Sequence, residues 1–194
     1  MAIRIEKSFQ VTQPVETVWA LLKDPRAVAN FVPGAKITES VDERTLKGAI
    51  SVKVGPVVTD FKGEVRVERR DEENHEIELL GKGQDVRGKG SASMKMIGKL
   101  SALDEGGTEV RSISEVNVVG ILAQFGGRMI YEVSDVMFRE FVKRFQAGLQ
   151  QPDTRVEAET ATSEPVNAVR VVSSALGRSV RHIFGGSGES GEKS

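Results

Sequence analysis

The sequence predicts an α+β fold in which an antiparallel sheet gathers its helices on one face. Three observations predict it. Residues 2–11 and most of 35–117 alternate apolar and polar side chains with the period of two of half-buried strands. Two short helical patterns interrupt the strands between residues 14 and 33, and one long helical pattern closes the domain after residue 119. The order is therefore one strand, two short helices, about six strands and a long helix.

In the first strand Ile3, Ile5, Phe9 and Val11, with Lys7 in the same row, alternate against Arg4, Glu6, Ser8 and Gln10. Pro14 suits a first helical position and Glu16 the first turn, and Val15, Val18, Trp19 and Leu22 follow at helical spacing. Asp24-Pro25 supplies a cap and a proline for a second helix, which Val32-Pro33-Gly34 stops.

Leu46, Gly48, Ile50, Val52 and Val54 form the dry row of the next long strand; Val57, Thr59, Phe61, Gly63, Val65 and Val67 form that of its neighbour. Ile77 and Leu79, then Ala92, Met94 and Met96, then Val110, Ser112, Ser114, Val116 and Val118 mark the remaining strands. Gly55-Pro56, Asp71 to Asn74, Gly81 to Gly90 and Asp104 to Gly107 read as turns. The inward rows include Gly48, Thr59, Gly63, Ala92, Ser112 and Ser114, which are small or polar. They fit either a cavity under the long helix or simple sheet curvature.

A helix starting near Leu122 would hold about 27 residues and run roughly 40 Å. Phe125, Met129, Val133, Val136, Met137, Phe141, Phe145 and Leu149 form one broad apolar stripe along it. Gly126, Gly127, Met129 and Met137 make its first half adaptable, whereas Phe138, Phe141 and Phe145 suit close packing.

The totals exclude several classes. The chain has 194 residues, 39% apolar and 28% charged, as in an ordinary globule, and a net charge of −1 that disfavours general nucleic-acid binding. No cysteine is present and the only histidines are His75 and His182, so neither a thiolate nucleophile nor a zinc site is expected. The N-terminus lacks the apolar run of a signal peptide, and a cytoplasmic protein is the expectation. Gly81-Lys82-Gly83 and Gly88-Lys89-Gly90 lack the spacing of a phosphate loop.

Beyond residue 149, residues 150–165 and 185–194 have the composition of solvated, disordered segments. Between them 166–184 has an amphipathic helical pattern. Val166, Val169, Val172, Leu176, Val180, Ile183 and Phe184 fall on one side and Arg170, Arg178 and Arg181 on the other. That pattern suits a helix lying in a membrane interface, and it also fits docking on a protein partner or on the domain itself.

The element order, with PVETVWALL at 14–22, Asp24-Pro25, FVPGA at 31–35 and AQFGGRMI at 123–130, resembles the START/Bet v 1-like helix-grip superfamily. Within it the chain resembles the CoxG family, whose members are associated with aerobic carbon monoxide dehydrogenase. Over residues 1–149 the resemblance implies a curved sheet gripping the long helix around an apolar cavity. It also implies membrane association on the inner face of the cell membrane and a non-catalytic accessory role beside a molybdenum-containing carbon monoxide dehydrogenase or related hydroxylase. The implied cargo is a lipophilic molecule, with a respiratory quinone (menaquinone or ubiquinone) the natural candidate.

Residues expected to line such a cavity are Trp19, Phe31, Val52, Val54, Phe61, Ile77, Leu79, Met94, Met96, Val116, Phe125, Met129, Val133 and Met137. The inward strand positions Thr59, Ser112 and Ser114 provide no acid or base, which weighs against the cyclase and dehydratase chemistry that some helix-grip proteins perform. A ligand-free adaptor that recruits the dehydrogenase to the membrane is the other class of reading.

Overall fold

A computed structural model of the chain describes residues 2–54, 57–120, 123–124 and 126–150. Its elements are β1 (Ala2–Val11), α1 (Val15–Leu22), α2 (Pro25–Ala29), β2 (Ala35–Ser40), β3 (Thr45–Val54), β4 (Val57–Asp71), β5 (Glu76–Asp85), β6 (Gly90–Ala102), β7 (Thr108–Gly120) and α3 (Gly126–Gln150). The predicted class and element order are found. All seven strands form one antiparallel sheet in the order β1-β7-β6-β5-β4-β3-β2, so β2 to β7 are a meander and β1 joins its far edge beside β7. The expected interface helix at 166–184 and its flanking segments beyond Gln150 lie outside the described residues.

Local chemistry sets the boundaries. Asp24 caps α2 by accepting from the Arg26 N–H at 2.9 Å, as its place before Pro25 implies. Pro14 does not open α1 from within. Its ψ of 151° is extended, so it caps the helix and Val15 is the first helical residue.

Strand register brings the dry rows together. Ile3, Val116, Met94, Gly81, Val65 and Leu46 lie side by side across six strands, and Ile5, Ser114, Met96, Leu79 and Val67 form the next row. A third row is nearly bare: Ala92, Gly83, Gly63 and Gly48 are direct neighbours. A methyl group on Gly63 would lie 1.9 Å from the Lys82 carbonyl oxygen, and one on Gly48 would lie 2.6 Å from that of Lys36. Along this row the absent side chains let neighbouring backbones approach.

The strand boundaries correct the sequence reading of residues 81–90. Gly81 and Gly83 belong to β5, and the connection to β6 spans only residues 86–89. Their composition resembled a loop because glycine is the commonest turn residue, although a strand also admits it.

Helix α3 also starts later than predicted. Gly126, with φ at +76°, opens it, and 25 residues give a length of about 37 Å. Of that helix only Phe145 is buried, at 0% exposure. Val136, assigned to the buried stripe, is 52% exposed, because one residue step turns it about 100° from Met137.

The packing is uneven along α3. Around Phe145 lies a filled cluster of Val11, Val18, Trp19, Phe31, Val67, Ile77, Leu79, Leu100 and Val110. The Phe9, Phe31 and Phe141 rings sit 5.8, 5.3 and 5.8 Å from that of Phe145. Near the start of α3 a smaller cluster has only Phe61 and Val118 buried, with Ile50, Val52, Ala92, Val116, Met129, Ile130 and Val133 partly covered.

Candidate functional site

The candidate site is the inner face of the sheet below the first half of α3. Strand alternation aims Val52, Phe61, Met94, Met96 and Val116 toward the helix, and helical spacing aims Met129 and Val133 back at them. Apart from Phe61 these side chains remain half-exposed. Met137, also half-exposed, continues the stripe toward the filled end.

Four other predicted lining residues take different places. Trp19, Phe31, Ile77 and Leu79 are buried in the cluster around Phe145, which forms the floor of the site. Trp19 is further tied by its indole N–H, which donates to Glu72 Oε2 at 2.6 Å and holds that carboxyl below its ordinary range. Phe125 and the Val54 side chain lie outside the described residues.

Polar groups on the inner face are few. Ser112 and Ser114 face the helix, half-exposed, and neither hydroxyl makes a hydrogen bond among the described residues. Each is thus a free donor in an apolar wall. Thr59 is buried on the β4 row opposite Val52.

Lys7 stands opposite Ser112 in β1 and forms an ion pair with Asp135 of α3, which clips the edge strand to the helix. The hydrogen bond from Lys7 holds the Asp135 carboxyl below its ordinary value. Lys7 was visible in sequence as a charge in an apolar row, but its partner 128 residues away was not.

Asp85 is the acid that sequence reasoning missed. It lies on the inner row opposite Phe61 and is buried. Its carboxylate accepts from the backbone N–H of Arg87 at 3.1 Å and of Lys89 at 3.2 Å, so it closes the β5–β6 turn. Among the described residues no cluster of acids and histidines is arranged to hold a metal, and no helix is long and apolar enough to cross a membrane.

A separate concavity lies on the other side of the sheet. This open trough of about 770 Å³ runs across the bare row and is bordered by the outward side chains of Lys47, Lys62, Glu64, Lys82, Gln84, Ser93 and Asn117. It is open to solvent and has charged side chains along its borders.

Comparison with known proteins places this geometry. A conserved protein from Geobacillus kaustophilus shares the fold at a TM-score of 0.68 and 22% identity, over 76% of this chain and 95% of that one. The Zhui aromatase/cyclase from Streptomyces sp. R1128 gives 0.56 and 14%, over 77% and 94%. A START superfamily protein from Mycobacterium smegmatis gives 0.55 and 15%, over 76% and 97%. These likenesses show a START-like, helix-grip fold. No curated relative matches the sequence. The family of the CoxG subunit of carbon monoxide dehydrogenase matches residues 8–150, the whole of the sheet and α3 but for the first strand's opening residues, and to that family this chain belongs.

Proposed function

We propose that the protein carries a lipophilic molecule with hydrogen-bond acceptors, a respiratory quinone in the first instance, between the membrane and a carbon monoxide dehydrogenase or related molybdenum hydroxylase. One observation carries the reading. A 25-residue helix laid over an apolar sheet face buries a single residue, and the inner side chains toward its other end keep accessible surface. A gap of this kind offers apolar walls for an isoprenoid or ring and two free hydroxyls, Ser112 and Ser114, for carbonyl oxygens.

The carrier role requires no chemistry of the chain itself. Of the charged groups on the inner rows, Lys7 is engaged with Asp135, and Asp85 with backbone N–H groups. A quinone would be oxidised or reduced by the partner enzyme, and this chain would bind it, shield it from water and release it. The amphipathic pattern at 166–184 supports peripheral attachment to the membrane.

Organic extraction of the purified full chain followed by mass spectrometry tests the reading. The expected result is near-stoichiometric quinone, reduced when both Ser112→Ala and Ser114→Ala are introduced. A chain that yields no lipophilic molecule, and takes up none when mixed with menaquinone or ubiquinone, is a recruitment adaptor and not a carrier.

A further inference from the structure

The turns at the two ends of the sheet differ in chemistry. At one end lie the β3–β4 hairpin, the β5–β6 turn and the end of β7, adjacent in space because Lys53 pairs with Val58, the Val86 N–H donates to the Asp60 carbonyl, and Ser91 pairs with Val119. Each presents an exposed valine: Val58 at 51%, Val86 at 48% and Val119 at 60%. Around them stand Lys53, Lys62, Arg87 and Lys89, all exposed and none in an ion pair among the described residues. Two acids stand at this end, Asp85, which accepts backbone N–H groups, and Asp60, which accepts the Ser51 hydroxyl, against the four cations.

The opposite end is acidic. Its three turns carry Asp42 and Glu43, then Asp71, Glu72 and Glu73, then Asp104 and Glu105, with Arg44 the one lysine or arginine among residues 41–44, 71–75 and 103–107; Asp71 pairs with Arg69 and Glu72 with Lys23, and the other five form no ion pair among the described residues. The domain is thus polarised along its strands, which orients it in the field of a negative surface.

We infer that the valine-tipped basic rim docks on anionic phospholipid, valines in the headgroup layer and the four cations over lipid phosphates. Three single valines, Val86 in a turn and Val58 and Val119 facing outward near the ends of β4 and β7, do not make the continuous apolar patch of a protein interface, but each can enter a fluid headgroup region. The rim also borders the half-open cluster of Phe61, Val118, Met129 and Val133. Docked this way, the site would open toward the bilayer and its acidic end toward the aqueous side. The inference rests on the carrier reading for its purpose, and its test needs no ligand.

In the full chain, Val86→Trp and separately Val119→Trp place a reporter on the rim against the background of Trp19, which is buried. With vesicles of phosphatidylglycerol and phosphatidylcholine, the added tryptophan should shift to the blue and be quenched by brominated acyl chains. Pure phosphatidylcholine vesicles should give little of either. Lys53→Gln, Arg87→Gln and Lys89→Gln should each weaken the response about fivefold, the loss set by one cation at an anionic leaflet.

The inference is overturned if the chain sediments with anionic vesicles while neither rim tryptophan changes, since another segment then makes the contact. It is equally overturned if the response ignores lipid charge, or if only an acidic protein elicits it. Quinone content measured on the same preparations separates the two readings. Ligand without rim contact removes this inference alone, and rim contact without ligand removes the carrier alone.

Discussion

Replacing Phe145 by alanine and, separately, Val133 by phenylalanine probes the two ends of one helix, and the structure assigns them different costs. Phe145 is fully buried, with the rings of Phe9, Phe31 and Phe141 within 6 Å. Phe145→Ala should therefore carry the full cost of an emptied aromatic site, about 3–5 kcal/mol. At about 2–4 °C per kcal/mol for a chain of this size, the melting temperature should fall by roughly 6–20 °C.

Val133 faces the incompletely covered cluster of Phe61, Val118, Ala92 and Met129. Added bulk in a filled core costs about 1–3 kcal/mol. If the space is open, Val133→Phe should cost under ~0.5 kcal/mol, because valine and phenylalanine have similar helix propensities. It should at the same time lower quinone content, since the ring occupies the ligand's place. Urea denaturation of both variants, with extraction of both, measures each quantity. A Val133→Phe loss above ~1.5 kcal/mol, in the overpacking range, would refute an open interior.

Two further outcomes follow from the geometry. Gly63→Ala should destabilise the domain by ~2 kcal/mol or more, because a methyl group 1.9 Å from the Lys82 carbonyl must push strands β4 and β5 apart; an unchanged urea midpoint would contradict the close approach. For the Lys7–Asp135 pair the sign is fixed by the lowered Asp135 value. The folded chain keeps this carboxylate ionised where the unfolded chain, near 3.8, would protonate it. Its contribution is complete near neutrality and is lost as pH falls through the lowered folded value. Asp135→Asn should thus melt below the parent at pH 7, and the gap should close in strong acid; a gap constant with pH would remove the ion pair from the account.

Much of the fold was legible because period-two alternation is a local property, and the alternation in β1, β3, β4 and β7 was strong enough to read through single exceptions such as Lys7. Caps were legible for the same reason, as with Asp24-Pro25. Misreadings arose where one residue type serves two ends. Gly81 and Gly83 looked like a turn and are strand residues of β5, and Val136 matched the spacing of the stripe yet lies off its buried side. Among the candidate lining residues, Val52, Val116, Met129 and Val133 pack on the half-open cluster with Met94 beside Val116, whereas Met96 packs against the filled one. Trp19, Phe31, Ile77 and Leu79 are equally apolar, and nothing in their spacing distinguished floor from wall.

The sequence by itself determined which side chains alternate, where helices start and stop, and the family likeness those segments carry, because each depends on neighbours a few residues away. Only the tertiary structure decided that α3 buries Phe145 and leaves its other end unsealed, that Lys7 meets Asp135, and that three exposed valines share one end while seven acidic residues share the other. In a meander successive hairpins turn at opposite ends, so residues far apart in the chain become one surface only when the strands are in register.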